Sequence, residues 1–400
     1  MNLKSGYPFW LIKDGLPFAY PKLDKTINTD VVIIGGGITG ALMGYYLTGA
    51  NVSCVVVDGR TIGLGSTCAS TSLLQYEIDT PLSKLVQLIG QKNAIRAYQL
   101  CAEAIDRLSE ISTAINYEEF IYRPSLYFAA HKKHVNALRE EFSMRKLAGF
   151  DVEWLEQKTI KYDYGFKTTA GILSAKAGEI NAYSFTHTLH QHSIKKGMQV
   201  YDRTKISKIN NGKKIVLKTE TGFNISCRHL VYATGYEAVN LIDKKIVSLK
   251  STYACISEQF NEEFSFWKDN SLLWNTADPY LYLRTTTDHR IIIGGRDEDF
   301  YNPAKRDKLL AAKARLLTRD FKKMFPKLSF IPEYSWTGTF GSTKDGLPFI
   351  GNYGENKNSY FALGFGGNGI TFSQIAAKII TDIITGKKNK DASVFSFERI

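Results

Sequence analysis

Apolar residues form two uninterrupted runs near the start of the chain, and a glycine turn and a helical pattern separate them. Residues 31–34 are all apolar, as in a strand that is buried on both faces of a sheet. Residues 38–47 predict a helix, and residues 54–57 predict a second buried strand that ends at Asp58. The order strand, turn, helix, strand predicts a βαβ unit, and therefore an α/β domain.

The pattern that follows contains both helical and strand periods. Apolar residues three to four apart predict helices at residues 82–115, 132–147, 178–196 and 305–327. Shorter apolar runs predict strands at residues 125–130, 200–209, 214–219 and 229–236. Asn211-Gly212 predicts a hairpin turn between the second and third of these strands. Residues 1–29 are aromatic and contain prolines without a clear period, so we expect an arm that lies on the first lobe.

The middle of the chain is typical of antiparallel sheet, because apolar and polar residues alternate. The predicted strands are residues 253–257, 272–275, 280–284 and 290–294. In the third strand, Tyr280, Tyr282 and Arg284 share one face, and Leu281 and Leu283 share the other. We expect the leucines to face the core, which leaves the two tyrosines and the arginine facing a cavity or solvent.

A second strand, glycine loop and helix follow near the end of the chain. Residues 343–351 predict a turn that leads into a short strand, and residues 361–363 predict another strand. The loop 364–371 leads into a helix at residues 372–384. The free N–H groups and partial positive charge of a helix N-terminus suit an electron-rich carbonyl or a ring that gains negative charge.

The length of the chain indicates a globular protein of two lobes, and the distribution of its charge argues against nucleic-acid binding. The 400 residues exceed the usual size of one domain, so we expect two lobes. The net charge is +12, but no stripe of arginines and aromatic residues suggests a nucleic-acid partner. The densest basic stretch, residues 305–327, predicts an amphipathic surface helix that leaves peripheral contact with an anionic membrane surface open.

The cysteines and histidines indicate neither disulfides nor a metal. The five cysteines lack C-x-x-C spacing, which favours free thiols in a reducing compartment. Prolines and charges interrupt any signal-peptide pattern at the N-terminus, so we expect a cytoplasmic protein. His187, His190 and His192 are spaced like ligands, but their predicted helix offers no cysteine or carboxylate cluster, so we expect no metal site.

The glycine turn after the first strand carries the clearest chemical signal. Gly35, Gly37 and Gly40 match G-x-G-x-x-G: the first allows a tight turn, the second lets a pyrophosphate approach, and the third lets helix and strand pack closely. Asp58 is placed to accept hydrogen bonds from a ribose hydroxyl. The uncharged stretch 31–57 could also be taken for a membrane helix, but three successive glycines favour a turn, and we expect no integral membrane segment.

Five segments in a fixed order resemble one family. They are the N-terminal glycine motif and residues 178–181, 233–235, 343–346 and 364–371. The chain resembles the FAD-dependent amine and amino-acid oxidoreductases typified by D-amino-acid oxidase, glycine oxidase and sarcosine oxidase. Its aromatic N-terminal arm is most similar to the γ-glutamylputrescine oxidase branch.

The resemblance implies a Rossmann-like FAD-binding domain with a mixed sheet, and an inserted α+β substrate domain built on an antiparallel sheet. The FAD-binding domain would comprise residues 1–90, 176–240 and 335–400. The substrate domain would comprise residues 91–175 and 241–334.

The resemblance also implies that FAD is the cofactor and is held without a covalent bond. The glycines would contact its pyrophosphate and Asp58 its adenosine ribose, while residues 66–73 would run beside the flavin and residues 366–370 along its pyrimidine edge. The implied contacts are Gly35, Gly37, Ile38, Thr39, Gly40, Asp58, Gly59, Arg60, Gly65, Ser66, Thr67, Ser70, Thr71, Ser72, Ile206, Ala233, Thr234, Gly235, Gly338, Gly366, Gly367, Asn368, Gly369, Ile370 and Thr371.

The chemistry that the resemblance implies is hydride transfer from the carbon next to an amine, followed by hydrolysis of the imine. The residues placed around the substrate are Tyr253, Tyr282, Arg284, Phe340 and Gly366. Phe340 stands where relatives that oxidise α-amino acids have an arginine, and Gly366 where the sarcosine oxidase branch has a lysine. No cysteine stands near Thr339 to bind flavin covalently. Arg284 would supply a replacement anion contact, or is simply a strand arginine.

We therefore expect an oxidoreductase that takes a small amine or amino-acid derivative and passes electrons to O2 or another acceptor. Two alternatives remain open at this point. One is a dehydrogenase that reduces a quinone or carrier protein, and the other is a flavin-binding subunit or sensor without turnover. A purely NAD-dependent dehydrogenase would lack the C-terminal glycine loop.

Overall fold

The computed structural model describes residues 1–212, 214–261, 264–354 and 357–399. The α-helices of these residues are α1 (Phe9–Asp14), α2 (Ile38–Gly49), α3 (Leu82–Ile89), α4 (Gln91–Ala114), α5 (Val135–Leu147), α6 (Gln157–Tyr164), α7 (Ala182–Lys195), α8 (Pro303–Met324) and α9 (Gly369–Ile384).

Local features explain where helices α3, α4 and α7 depart from their predicted bounds. Gly90 has φ +80° and separates α3 from α4, so the single helix predicted over residues 82–115 is wrong, because a left-handed glycine ends a helix. Helix α7 begins four residues after the predicted start at Gly178 because the Asn181 side chain accepts hydrogen bonds from two N–H groups of its first turn, as an N-cap does.

The strands form three sheets. They are β1 (Lys4–Gly6), β2 (Ile27–Asn28), β3 (Val31–Ile34), β4 (Cys54–Val57), β5 (Leu73–Gln75), β6 (Ile121–Phe128), β7 (Val152–Glu156), β8 (Ala170–Glu179), β9 (Gln199–Tyr201), β10 (Ile206–Asn210), β11 (Ile215–Thr219), β12 (Asn224–Cys227), β13 (His229–Tyr232), β14 (Ser248–Ser257), β15 (Leu272–Asn275), β16 (Tyr282–Thr285), β17 (Ile291–Glu298), β18 (Pro332–Ser342), β19 (Phe349–Asn352) and β20 (Ser359–Leu363).

A six-stranded sheet contains the predicted βαβ unit. Its order is β19-β20-β13-β3-β4-β9, and every neighbouring pair except β19–β20 is parallel. Alternate residues of β3 enter two different apolar clusters: Val31 and Ile33 pack with α2 and α9, and Val32 packs toward a four-stranded sheet on the other side. Strand β3 is therefore buried on both faces, which confirms the sequence prediction.

The strand predicted at residues 200–209 is wrong as a single element. Its first part is β9, which pairs with β4, and its second part is β10, which pairs with β11. Residues 202–205 lie between them, so the chain leaves one sheet and enters the other. The hairpin predicted between β10 and β11 is present as an antiparallel pair in the four-stranded sheet β10-β11-β12-β2.

A ten-stranded sheet forms the other half of the molecule. Its order is β1-β18-β14-β17-β16-β15-β6-β8-β5, and β7 also pairs with β8. The pairs are antiparallel except β15–β6. The N-terminal arm was expected on the first lobe, where Tyr20 and Leu23 do pack, but β1 pairs with β18 and extends this sheet. Short polar segments such as Lys4–Gly6 show no period that would reveal a strand.

Helix α8 packs on one face of the ten-stranded sheet, through Leu317 and Phe321. Two cations of the predicted basic helix 305–327 are buried rather than on its surface. Arg306 donates a hydrogen bond to Thr339 Oγ1 at 2.9 Å, and Lys313 donates one to the Arg296 carbonyl at 2.8 Å. The membrane contact suggested for this helix stays a prediction, and none of the described helices is long and apolar enough to span a membrane.

The division into two domains also stays a prediction, and the sheets cross its proposed boundaries. Strands β1 and β5 and most of β18 lie in segments assigned to the FAD-binding domain, but they pair in the ten-stranded sheet. These segments therefore connect the two sheets and place residues of both around a common space.

The glycines of α2 provide a test of the βαβ packing. A Cβ on Gly40 would lie 1.9 Å from the carbonyl oxygen of Gly35, whereas a Cβ on Gly49 would meet no atom within 4 Å. We predict that Gly40→Ala lowers the free energy of unfolding by about 3 kcal/mol or abolishes folding, because backbone atoms must move. Gly49→Ala in the same helix should leave stability unchanged or raise it by up to about 1 kcal/mol. Denaturant unfolding of both variants measures this, and equal stabilities would contradict it.

Candidate active site

A cavity of about 860 Å³ lies between the six-stranded and ten-stranded sheets. On one side it is bordered by Gly35 after β3, Asp58 after β4 and Ala233 after β13. On the other side it is bordered by Tyr282 of β16 and Gly338 of β18. Ligands of open α/β sheets bind at the carboxyl ends of the parallel strands, and this cavity lies at that position.

The glycine turn leaves no room for side chains. Gly35 has φ +111°, and a Cβ there would lie 2.3 Å from the carbonyl oxygen of Ala233. His190 of α7 is bonded through Nε2 to the carbonyl oxygen of Gly36 at 3.0 Å. The turn is therefore fixed by β13 on one side and by α7 on the other.

The N-terminus of α2 borders the cavity. Gly37 is its N-cap and has no side chain to occupy the free N–H groups. The Thr67 hydroxyl accepts a hydrogen bond from the N–H of Ile38 at 3.1 Å, and Thr39 also lines the cavity. A helix N-terminus with an open glycine cap is a site that favours an anion such as a pyrophosphate.

Asp58 is held at the end of β4 by backbone donors. Its carboxylate accepts hydrogen bonds from the N–H of Gly36 and the N–H of Arg60, each at 2.8 Å. Burial raises the pKa of Asp58, and these two hydrogen bonds oppose the shift. The Arg60 guanidinium pairs with Glu237 at 2.6 Å. Asp58 thus connects the glycine turn to the loop after β4 and borders the cavity.

Nearly all the residues predicted to contact FAD line this cavity. They are Gly35, Gly37, Ile38, Thr39, Asp58, Gly59, Arg60, Gly65, Ser66, Thr67, Ser70, Thr71, Ser72, Ile206, Ala233, Thr234, Gly235, Gly338, Gly366, Gly367, Asn368, Gly369 and Ile370. Gly40 and Thr371 lie outside the lining. Gly40 packs α2 on the glycine turn, and the Thr371 hydroxyl donates to the Asn368 carbonyl at 3.0 Å.

The C-terminal glycine loop is fastened to the chain before α3. The Asn368 side chain donates hydrogen bonds to the carbonyls of Gln75 and Glu77, at 3.1 and 2.8 Å. The N–H of Gly367 donates to Asp79 Oδ2 at 3.0 Å. Burial raises the pKa of Asp79, and the hydrogen bond from Gly367 opposes the shift. This anchoring brings the N-terminus of α9 to the cavity.

The ten-stranded sheet presents a polar and aromatic face to the cavity. Thr252, Tyr280, Tyr282 and Phe340 line it. The ring of Tyr282 lies over Gly294 of the neighbouring strand, where a Cβ would come within 2.3 Å of the tyrosine hydroxyl. Both tyrosines of the predicted face line the cavity, although the strand predicted at residues 280–284 begins only at Tyr282, so that Tyr280 precedes β16.

Arg284 shares that face but does not reach the cavity, which corrects the expectation that it binds a substrate anion. Its guanidinium is buried and lies 3.2 Å from Glu179. It also donates to the carbonyls of Ser72 and Ile180, at 3.0 and 3.3 Å. Burial lowers the pKa of Arg284, and the Glu179 carboxylate opposes the shift. The arginine is fully used inside the protein.

Tyr253 was also expected near the substrate, and it is among the residues that line the cavity, although its ring packs in the apolar core with Leu283 and Phe321. Lys313 Nζ lies 5.3 Å from the ring centroid. Side chains alternate along β14, so Thr252 rather than Tyr253 presents its side chain to the cavity face. The alternation of side chains along β14 was predictable from the sequence, but the sequence did not show which face of the sheet packs against α8.

The sequence analysis missed Asp297 and Asp79, which stand at or next to the cavity wall. Asp297 lines the cavity, although the predicted strand ended at residue 294. Strand β17 extends to Glu298 through Gly295 at φ +133° and Arg296 at φ +60°. The Gly294-Gly295 pair followed by charged residues was the available signal, since glycines within a strand often mark a bulge.

The buried histidines of α7 have structural roles. Tyr20 hydroxyl and His187 Nδ1 are bonded at 2.9 Å. Burial lowers the pKa of His187 and of His190 to about 4, so both are neutral at physiological pH. Within the described ranges, no group of three His, Cys, Asp or Glu residues could hold a metal ion.

Comparison with known proteins gives a family and a fold. The model of the family described as DAO, FAD dependent oxidoreductase, matches residues 30–383. The γ-glutamylputrescine oxidoreductase of Escherichia coli (strain K12) is 22% identical over 382 residues, which cover 92% of this chain and 86% of that protein. The crystal structure of glycine oxidase from Geobacillus kaustophilus matches with a TM-score of 0.77 at 17% identity, covering 93% of this chain and 99% of that one. This confirms the expected fold of a Rossmann-like lobe with a second, sheet-based lobe.

A third relative has a longer chain. The putative Rieske 2Fe-2S iron-sulfur protein YhfW of Bacillus subtilis (strain 168) is 23% identical over 403 residues, which cover 98% of this chain and 75% of that protein.

Asp58 provides a test of the nucleotide site. We predict that Asp58→Ala weakens FAD binding at least tenfold, because the loop after β4 loses its anchor and the ribose loses an acceptor, and a tenfold change in Kd is about 1.4 kcal/mol. Fluorescence titration of the apoprotein with FAD measures it. Asp30→Ala is the matched control, since Asp30 stands at the other end of β3 in an exposed pair with Arg228 and should leave Kd unchanged. Equal affinities of the two variants would exclude the role of Asp58.

Mutation of Arg284 tests whether this residue stabilises the fold through Glu179 rather than binding a substrate anion. We predict that Arg284→Ala costs about 3–5 kcal/mol of stability, because it leaves the buried Glu179 carboxylate with one cation fewer. The exposed Arg107 of α4 is the control, and Arg107→Ala should change stability by less than about 1 kcal/mol. Thermal and denaturant unfolding give both values. An Arg284→Ala protein of native stability with a raised KM for anionic substrates would restore the original interpretation.

Proposed function

The chain belongs to the DAO family of FAD-dependent oxidoreductases, and on that premise we propose that it oxidises the C–N bond of an amine or an amino-acid derivative. The observation that carries the proposal is the cavity between the two sheets, which joins the glycine turn to an aromatic and acidic wall. Relatives named glycine oxidase and γ-glutamylputrescine oxidoreductase support this substrate class.

The residues around the cavity fit FAD. The glycine turn has no space for side chains, the N-terminus of α2 is open at Gly37, and Asp58 is buried at the end of β4. These groups would hold the pyrophosphate and the adenosine ribose. Gly369 and Ile370, at the start of α9, would stabilise negative charge on the ring through their N–H groups and the helix dipole.

FAD held by these residues would supply a hydride acceptor for the carbon next to the substrate nitrogen, and water would hydrolyse the resulting imine. The protein orients the amine and limits the access of water. Trp336, Phe340 and Tyr282 supply apolar surface at the cavity. Among the described lining residues there is no histidine and no cysteine to form a covalent bond to flavin, so we infer that FAD is held non-covalently.

The lining argues against an α-amino acid held by its carboxylate. Arg60 is the one arginine among the described lining residues, and it is paired with Glu237 near Asp58. The lining contains two lysines: Lys205 precedes β10, and Lys208 lies within it. No guanidinium on the sheet wall beside Phe340 is therefore available to pair with a substrate carboxylate. An amine that carries no carboxylate near its nitrogen fits this cavity better than an α-amino acid does.

The electron acceptor is either O2 or a carrier, and the name of the Rieske-type relative makes a carrier protein a specific candidate. We propose a cytoplasmic location because all five cysteines are buried free thiols, the state expected in a reducing compartment.

The proposal is tested by anaerobic mixing of the FAD-loaded protein with amines and amino acids in a stopped-flow instrument. We predict that at least one amine bleaches the flavin band near ~450 nm at least tenfold faster than the alcohol of the same chain length. Dithionite serves as the control that the flavin is reducible. Bleaching by dithionite but by no amine would show a flavin-binding protein without turnover.

A further inference from the structure

Asp297 presents an unused acceptor to the cavity. The residue lines the cavity wall on the ten-stranded sheet, and its Oδ1 atom is buried without a hydrogen-bond partner among the described residues. A buried carboxylate oxygen without a partner costs free energy unless a ligand supplies a donor or a cation. None of the contacts that we propose for FAD involves Asp297 Oδ1.

A bulge in β17 places the Asp297 side chain. The register between β14 and β17 shifts opposite Ser251 and Tyr253, and Gly295 and Arg296 both have positive φ. Arg296 is not a glycine, so its left-handed backbone is a strained conformation that the surroundings must hold. The pair between Arg296 Nε and Asp320 Oδ2 at 2.6 Å holds it. Bulges of this kind re-aim a side chain next to an active site.

Two tyrosine rings and a second carboxylate stand beside Asp297. The ring centroids of Tyr280 and Tyr282 are 5.8 Å apart, and both residues line the cavity. The Tyr280 hydroxyl donates to Asp79 Oδ1 at 3.0 Å. Tyrosine faces attract cations, so this part of the wall combines two tyrosine rings with the carboxylate of Asp297, and Asp79 lies behind Tyr280 with both oxygens occupied.

The protein's own cations near Asp297 are engaged elsewhere. Lys313 donates to Glu298 Oε1 at 2.5 Å and to the Arg296 carbonyl, and Lys250 pairs with Asp299 at 2.8 Å. Burial raises the pKa of Asp297 to about 6, and Asp79 adds to the shift, while Thr252, Lys250 and Lys313 oppose it. Asp297 is therefore ionised above about pH 6 with its charge incompletely neutralised.

We propose that the substrate carries a second, cationic nitrogen, which binds as an ammonium between the Asp297 carboxylate and the faces of Tyr280 and Tyr282. The substrate class is then an α,ω-diamine or a longer polyamine, of which one nitrogen is oxidised and another is held by this wall. The inference rests on the proposed function, because it assumes that the cavity takes an amine. It explains why the wall carries acids where an enzyme for α-amino acids would need an arginine.

Binding is measured on the FAD-loaded protein after reduction with dithionite under anaerobic conditions, so that ligands bind without turnover. Calorimetry gives Kd for a series of α,ω-diamines and for the monoamines of matched length. We predict that the native protein binds the best diamine at least tenfold more tightly than its monoamine. The preference should increase as the pH rises through about 6, because Asp297 ionises in that range.

Three variants test the residues. Asp297→Asn should weaken diamine binding at least tenfold, about 1.4 kcal/mol, and change monoamine binding less than twofold. Glu153→Gln, at an exposed carboxylate of β7 in the same ten-stranded sheet, should change neither. Tyr282→Leu should weaken diamine binding, whereas Tyr282→Phe, which keeps the ring face, should retain it. The comparison of Tyr282→Leu with Tyr282→Phe tests the cation site even if Asp297→Asn fails to fold.

Equal affinities of the native protein for diamines and monoamines, or equal losses for both in Asp297→Asn, would overturn the inference. Failure of the proposed function is a separate result. If no amine bleaches oxidised flavin but the reduced protein still prefers diamines through Asp297, the cation site stands and the catalytic proposal falls. If monoamines bleach the flavin as well as diamines do and bind equally well, the oxidation stands and the cation site falls.

Discussion

The close contact between helix α2 and the turn after β3 is the constraint on which the rest of the structure depends. Gly40 must pass the carbonyl of Gly35 without a side chain, and only then does the N-terminus of α2 reach the cavity. The Asp58 carboxylate binds the N–H of Gly36, so the same turn fixes the loop after β4. The anion site and the ribose acceptor that we propose therefore depend on one packing contact.

A second set of contacts brings the two sheets to one cavity. Asn368 binds the backbone on either side of Tyr76, and Asp79 accepts hydrogen bonds from both Gly367 and Tyr280. The glycine loop before α9 and the Tyr280 side chain are therefore both fastened to the segment 75–79. These hydrogen bonds connect the proposed nucleotide site to the proposed substrate wall.

The parts of the fold that repeat a local pattern were predictable from the sequence, and the parts that depend on distant contacts were not. The βαβ unit, the second glycine loop and the shared face of Tyr280 and Tyr282 follow from periods and glycines. The burial of Arg284 depends on Glu179, which is far away in the chain. The position of Asp297 depends on a bulge whose backbone angles no periodicity reveals. The substrate wall was therefore the least predictable region.

The absorbance spectrum of the purified protein, before and after acid precipitation, tests the central claim most directly. The account predicts flavin bands near ~370 and ~450 nm that move into the supernatant on precipitation, because the described cavity wall has no cysteine or histidine to bind the ring. Flavin that stays with the pellet would contradict non-covalent binding. A protein that shows no flavin bands even after incubation with FAD would contradict the account of the cavity itself.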